Sequence, residues 1–398
     1  MRICLVYDCL FPHTVGGAER WYRSLAERLA ADGHEVTYLT LRQWDRGKPH
    51  GVAGVDVRVV GPRMGLYNGP GQRRLAPPLV FGAGVLWHLI RHGRRYDVVH
   101  TCAFPYFSLL AAALVAPVRG YEVAVDWFEV WSRSYWREYL GRIGGDIGWL
   151  VQRLCARVPQ RAFCFSNLYA SRLRAEGLHG TVTMLAGAFD GPLAPRPVPD
   201  AEPVVVFAGR HIPEKRVPAI VPAIALVRER APEVRALILG DGPERDEVRR
   251  RVAAAQLGDA IEVPGFVATE TVDDAIGHAM CMLLPSRREG YGLVVVEAAS
   301  RATPSVVVAG EDNAAVELIV NGENGVVAAS DSPADLAAAI LQVHDAGSAM
   351  RESTVSWFAA NAERLSLNRS LAVVLDAYGR LPSPARRTRA SPRRSPTR

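Results

Sequence analysis

Strand-like and helix-like segments alternate along almost the whole chain, and this alternation limits the possible folds more than any other feature of the sequence. In each half, short apolar runs are separated by amphipathic stretches, which is the pattern of consecutive βα units with parallel strands. The two halves are separated by residues 185–203, which contain five Pro and indicate a linker. We therefore predict an α/β protein with two doubly wound, Rossmann-like domains that face each other across a cleft.

Shifts in composition set the expected boundaries of these parts. The predicted segments are a first domain (1–185), a linker (186–202), a second domain (203–352), a long amphipathic helix (353–380) and a tail (381–398). The tail carries six Arg, no acidic residue, and many Pro, Ser and Thr, a composition typical of disorder. Without these six Arg the basic and acidic residues balance. The net charge of +6 therefore does not indicate a nucleic-acid partner.

The cysteines and the apolar runs predict a cytoplasmic protein. Six Cys are scattered without short paired spacings, and several lie in strand-like runs, which is typical of reduced, buried thiols. The longest apolar runs fall short of the ~20 residues that a membrane span needs. No cluster of His, Cys, Asp and Glu has metal-ligand spacing, so we expect neither a metal nor a cofactor.

The segment 289–297, Glu-Gly-Tyr-Gly-Leu-Val-Val-Val-Glu, is the most informative about function. A strand-like run at 281–286 precedes it, so Glu289 is expected in a loop at the carboxyl end of a parallel strand, where open α/β sheets bind ligands. The two glycines allow a sharp turn close to a ligand, and a helix is expected from Leu293, whose first N–H groups favour an anion. Glu297 would face the same pocket. Two carboxylates that flank an anion-binding turn would suit a nucleotide sugar.

Basic residues and a glycine pair supply further groups for phosphate. Arg210 ends the first strand of the second half, and Lys215, one of only two Lys in the chain, follows before a helix. Both are expected at the same sheet edge as Glu289, where two cations would bind a diphosphate. Gly16 and Gly17 lie between the first strand and the first helix, where successive backbone N–H groups form a nest for phosphate.

The Glu-x7-Glu segment, the Gly-Arg strand end and the Glu-Lys turn together resemble the signature of glycosyltransferase family 4, retaining enzymes of the GT-B fold. The resemblance implies that Glu289 contacts the donor sugar and Glu297 the ribose hydroxyls. It implies that Arg210 and Lys215 bind the donor diphosphate. It further implies that the first domain is the acceptor side, that the second binds a nucleotide-sugar donor, and that 353–380 is a helix returning to the first domain.

The same resemblance extends to three more segments. Gly16-Gly17-Ala18-Glu19 matches the Gly-Gly-Ala-Glu of many family-4 enzymes, whose loop reaches across the cleft to the donor phosphates. Gly265-Phe266-Val267 resembles the segment that holds the nucleobase through backbone groups. The resemblance thus implies that these donor-binding residues lie around one site: Gly16, Gly17, Phe266, Val267, Gly290, Tyr291, Gly292, Leu293 and Glu297.

The acceptor side departs from the family pattern. Family-4 proteins usually place a His next to the reacting sugar, and we align that position to Phe128, which cannot exchange a proton. Three alternatives follow: Asp126 or Glu129 takes over, the His is not needed, or activity is lost. The mechanism favoured for the family lets the leaving phosphate accept the acceptor's proton, which requires no protein base.

Residues 133–161 carry six Arg interleaved with Tyr and Trp. Such a helix can lie on an anionic membrane, which would place the protein at the inner face of the plasma membrane, but a solvated face above a core stripe is the favoured interpretation.

The sequence therefore predicts a retaining, metal-independent glycosyltransferase that moves a hexose-type sugar to a glycan, lipid-linked or small-molecule acceptor. A non-catalytic glycosyltransferase-like subunit and a nucleotide-sugar 2-epimerase are the alternatives.

Overall fold

The computed structural model describes residues 1–14, 16–45, 51–66, 73–197 and 201–379. The predicted tail lies outside these residues. The first domain contains strands β1 (Arg2–Val6), β2 (Glu35–Leu41), β3 (Val55–Gly61), β4 (Val98–Cys102), β5 (Glu122–Trp127), β6 (Gln160–Cys164) and β7 (Gly180–Met184), and helices α1 (Gly17–Ala31), α2 (Ala76–His92), α3 (Phe107–Arg119), α4 (Arg133–Ala156) and α5 (Asn167–Ala175).

The second domain repeats this arrangement and is followed by two long helices. Its strands are β8 (Glu202–Ala208), β9 (Arg235–Leu239), β10 (Ile261–Gly265), β11 (Ala279–Leu284), β12 (Arg288–Glu289), β13 (Ser305–Val308), β14 (Asp312–Asn313) and β15 (Gly325–Ala328). Its helices are α6 (Ile220–Arg228), α7 (Arg245–Ala254), α8 (Thr269–His278) and α9 (Leu293–Ala299), followed by α10 (Pro333–Leu365) and α11 (Leu367–Gly379).

Both main sheets are parallel and share one topology. The first has the strand order β3-β2-β1-β4-β5-β6-β7 and the second has the order β10-β9-β8-β11-β13-β15. In each sheet the order reverses beside the domain's first strand, which is the point where doubly wound sheets bind ligands at their carboxyl ends. The predicted pair of Rossmann-like domains is confirmed.

Apolar helices cover both faces of the first sheet. Helices α2, α3, α4 and α5 pack on one face, and α1 and α11 pack on the other. All six cysteines are buried and unpaired, as predicted, and burial raises the pKa of the Cys281 and Cys164 thiols to about 12. Within the described ranges, no helix has the length and apolar character needed to cross a membrane.

The chain returns to the first domain through two helices, whereas one helix over 353–380 is predicted. α10 changes direction at Gly347, where φ is +53°, and its later turns still pack in the core of the second domain. Ser366 then adopts extended backbone, and its hydroxyl caps α11 by accepting a backbone N–H three residues later (3.1 Å). Only α11 packs in the core of the first domain. This serine cap is the physical reason for the break.

Candidate active site

A cleft of about 1220 Å³ lies between the carboxyl edges of the two sheets. Both domains line it, and it contains twelve of the fifteen predicted site residues: Gly16, Gly17, Phe128, Glu129, Arg210, Lys215, Glu289, Gly290, Tyr291, Gly292, Leu293 and Glu297. The alternation of strands and helices explains this convergence, because every contributing loop follows the carboxyl end of a parallel strand. Asp126, Phe266 and Val267 do not line the cleft.

Glu289 is held by its own domain in a nearly closed environment. Its carboxylate forms an ion pair with Lys215, and the Ser286 hydroxyl donates to the same oxygen at 2.8 Å. Only 11% of the Glu289 side chain is exposed. The backbone around it is not the predicted loop but the short strand β12, which pairs in parallel with β14 and brings Glu289 opposite Asn313. The Asn313 amide donates to the backbone carbonyl of Ser286 at 3.0 Å, which fixes the turn before β12.

The first glycine loop is closed by an acidic side chain that was not predicted as a site residue. The carboxylate of Glu19 folds back over Gly16, and a Cβ atom at that position would collide with it. Burial raises the pKa of Glu19, and the positive charge of Arg210 across the cleft opposes the rise. Glu19 thus occupies the mouth of the predicted phosphate nest. The sequence does carry a signal for Glu19, because it is the last residue of the Gly-Gly-Ala-Glu motif.

Glu297 lies on α9 with its carboxylate toward the cleft. Burial raises its pKa, and Arg20 on α1 opposes this shift while Asp273 adds to it. A partly desolvated carboxylate at a cleft wall is a strong acceptor, which suits a ligand that presents neighbouring hydroxyls. Arg20 comes from the opposite domain and was not predicted. The helix start at Leu293 is confirmed.

Asp126 was predicted on the acceptor side, and this is wrong. Its side chain is fully buried beneath the sheet edge, where it accepts a hydrogen bond from the Trp21 indole at 2.7 Å and lies 3.0 Å from the His100 ring. The reason is strand alternation, because successive residues of β5 point to opposite faces. Phe128 and Glu129, which follow the strand, do line the cleft, and the Phe128 ring stacks on Phe165 with centroids 5.0 Å apart.

The predicted nucleobase segment also lies apart from the cleft residues. Phe266 is 82% exposed, and Val267 packs in a small apolar cluster beside α8. Gly265 before them has φ +100°, so the chain does turn here as a glycine permits. The assignment of a nucleobase to this segment therefore stays a prediction.

Two family models match the chain, one on each domain. Residues 15–185 match the model described as Glycosyltransferase Family 4, and residues 194–355 match the one described as Glycosyl transferases group 1. Together these matches span most of the chain and both walls of the cleft. The chain belongs to glycosyltransferase family 4.

Individual relatives and solved structures match this family-4 chain over very different shares of its length. The alpha-D-kanosaminyltransferase of Streptomyces kanamyceticus is 30% identical over 146 residues, which is 37% of each chain, so the match spans little more than a third of that relative. Sucrose-phosphate synthase from Thermosynechococcus elongatus has a TM-score of 0.75 at 19% identity, with 95% of this chain and 98% of that one covered. The Anabaena HepE protein in complex with UDP has a TM-score of 0.71 at 18% identity, with 96% and 100% covered.

Proposed function

We propose that this family-4 protein transfers a hexose-type sugar from a nucleoside-diphosphate sugar to an acceptor in the cleft, with retention of the anomeric configuration. The observation that carries the proposal is the partly buried Lys215–Glu289 pair with Arg210 at the same sheet edge, facing the wall of the first domain. A cation for phosphate and a carboxylate for sugar hydroxyls are thus adjacent. HepE, which has the same fold, is described with UDP bound, and this supports a nucleotide donor.

The side chains present suit a transfer without a protein base. In the proposed step the bond from the anomeric carbon to the diphosphate oxygen breaks, and a bond to the acceptor hydroxyl oxygen forms on the same face. The hydroxyl proton moves to the departing diphosphate oxygen. Arg210 and Lys215 would stabilise the charge that develops on that diphosphate, so we propose that no bound metal is required. Phe128 would then act only as part of an apolar wall beside the acceptor.

The test begins with thermal stabilisation of the purified protein by UDP-, GDP-, ADP- and dTDP-sugars, because a ligand that binds the native state raises its stability. The best donor is then incubated with a panel of sugar, glycan and lipid-linked acceptors. Transfer with retained anomeric configuration is expected. An inverted product would refute the mechanism, and binding without turnover until a second protein is added would favour the partner-subunit alternative. Conversion of the donor into its 2-epimer would favour the epimerase.

We further propose that the outer faces of α2, α3 and α4 rest on an anionic lipid surface, which would favour a lipid-linked acceptor. Tyr135 and Trp136 of the segment 133–161 are buried, so these two aromatic residues cannot contact lipid. Nine of the fifteen large exposed apolar side chains that the structure describes lie instead on these three helices, and a tenth, Leu75, directly precedes α2. The ten are Leu75, Leu79, Trp87, Ile90, Leu114, Val118, Ile143, Ile147, Leu150 and Leu154.

The charge around this apolar surface points to lipid as its occupant. The four exposed residues of α4 recur at spacings of four, three and four, so they form one stripe along the helix. Exposed Arg residues flank the apolar positions: Arg91, Arg94, Arg95, Arg142 and Arg157. Residues 75–95 contain no acidic residue at all. An apolar stripe with a basic rim is the pattern of an interfacial helix on anionic lipid.

Membrane binding should therefore depend on the α4 stripe. We expect the double variant Ile147→Ser/Leu150→Ser to bind vesicles that contain phosphatidylglycerol about tenfold more weakly than the unaltered protein. The reason is that serine buries less apolar area in the lipid interface than isoleucine or leucine does. Cosedimentation measures this, with vesicles of phosphatidylcholine alone as the uncharged reference. Val320→Ser, which replaces an exposed apolar residue of the second domain, is the control and should leave binding unchanged. If the double variant binds vesicles normally but lacks a dimer that light scattering detects for the unaltered protein, the surface would instead bind a second copy of the chain.

A further inference from the structure

Arg288 immediately precedes Glu289, and side chains of both domains surround it. Its guanidinium forms an ion pair with Glu129 of the first domain and lies 3.5 Å from Glu214 of its own domain. It also lies over two aromatic rings of the first domain, 4.4 Å from the Trp131 centroid and 4.7 Å from that of Tyr135. Only 13% of the Arg288 side chain is exposed. We call this set of five residues the Arg288 clamp.

The clamp is closed by hydrogen bonds between its other members. The Trp131 indole donates to Glu129 at 2.7 Å, and the Tyr135 hydroxyl donates to Glu214 at 2.9 Å across the domain boundary. A buried arginine with two carboxylates and two aromatic faces has strong Coulombic and cation–π attraction, because little water screens it. Removal of the guanidinium would leave the acidic members without their cation.

The clamp lies one residue away from the donor site on both of its segments. Glu214 directly precedes Lys215, and Arg288 directly precedes Glu289, so the two members from the second domain flank the Lys215–Glu289 ion pair. A second contact reaches the same strand, because the hydroxyl of Tyr169 in the first domain donates to the backbone carbonyl of Glu289 at 3.1 Å. The first domain thus contacts the Glu289 strand from two directions.

We propose that Arg288 is a positioning residue that couples closure of the two domains to the orientation of Glu289. When the domains approach, Glu129, Trp131 and Tyr135 contact Arg288. These contacts hold β12 in the position in which Glu289 can bind the sugar. When the domains separate, the guanidinium loses these partners and the strand is released. This inference rests on the proposed sugar transfer, and it adds a residue that the family signature around Glu289 did not single out.

The variant Arg288→Gln tests the coupling, with three measurements on the full-length protein. We expect kcat for the best donor to fall by about 10- to 100-fold, since a small displacement of a reacting group has an effect of this size. We expect the Kd for UDP, measured by calorimetry, to change by less than about threefold, because Arg210, Lys215 and Glu297 are untouched. The UDP-bound variant should have a larger radius of gyration in X-ray scattering than the UDP-bound unaltered protein.

The neighbouring Arg287 provides a matched control. It also forms an ion pair across the domain boundary, with Glu138, but the two side chains are far more exposed than that of Arg288, at 39% and 54%. Exposed pairs contribute little, so Arg287→Gln should leave kcat, UDP affinity and the scattering curve nearly unchanged. In a double-mutant cycle, Glu129→Gln added to Arg288→Gln should lower kcat little further, because the two side chains act as one unit.

Three results would overturn the clamp. These are normal kcat in Arg288→Gln, a loss of UDP affinity as large as the loss of kcat, and equal effects of Arg287→Gln. The first result would mean that the Arg288 clamp has only a structural role. The second would mean that Arg288 itself contacts the nucleotide-sugar donor. If the unaltered protein transfers no sugar, the proposed function fails, and the clamp is then judged by X-ray scattering alone: an unchanged radius of gyration of UDP-bound Arg288→Gln is a fourth result that rejects it.

Discussion

The variant Glu289→Gln is expected to lose at least about 100-fold in sugar transfer while it binds UDP more tightly than the unaltered protein. The amide keeps the size of the side chain and still accepts the hydrogen bond from Ser286. It no longer neutralises Lys215, so the ammonium is free for the diphosphate, and a gain of up to about tenfold in UDP affinity follows from the stronger charge-assisted contact. The loss of turnover arises because the proposed contact to the donor sugar is made by the carboxylate.

The opposite signs of these two effects make the measurement decisive. Steady-state turnover with the best donor and calorimetric titration with UDP give the two values independently. Glu311→Gln is a suitable control, because the Glu311 side chain is 69% exposed, lies beside β14 and is 3.4 Å from the Arg172 guanidinium. It should behave like the unaltered protein. A Glu289→Gln protein that transfers sugar at the normal rate would remove Glu289 from the active site.

The parallel sheets and the main donor residues could be predicted because they depend on local pattern and topology. In alternating βα units the carboxyl ends of the parallel strands meet at one edge, so Arg210, Lys215 and Glu289, which follow such strands, are expected at the same edge of the sheet. The start of α9 at Leu293 agrees with the glycine before it, because Gly292 has φ +93°, a non-helical conformation that glycine adopts readily. No long-range information was needed for these features.

The features that escaped prediction depend on contacts between distant segments. Strand alternation sets the face of β5 on which Asp126 lies, but the Trp21 and His100 side chains that enclose it there come from segments far away in the sequence. The short strand β12 forms only because β14 pairs with it. Arg288 looks like an ordinary loop arginine until the first domain supplies Glu129 and Trp131. Sequence pattern reports what one segment favours, and these roles are set by partners in another domain.

The variant Lys215→Ala should weaken UDP binding by about 1.5–3 kcal/mol, which is the range for hydrogen bonds to charged groups. It should also lower the melting temperature, because Glu289 is buried and would keep only its hydrogen bond from Ser286. An unpaired buried carboxylate is destabilising unless it is protonated or regains water. Calorimetric titration with UDP and thermal unfolding measure the two effects on the same samples.

The double variant Lys215→Ala/Glu289→Gln separates binding from stability. Removal of both charges leaves no unpaired ion in the pocket, so the melting temperature should recover most of what Lys215→Ala loses. UDP affinity should not recover, since the ammonium that contacts the diphosphate is still missing. Arg216→Ala removes the neighbouring cation, which pairs with the exposed Asp331 at 3.1 Å, and should change neither quantity appreciably. Recovery of UDP affinity in the double variant would mean that the ammonium acts only by neutralising Glu289, and Lys215 would then no longer be a diphosphate ligand.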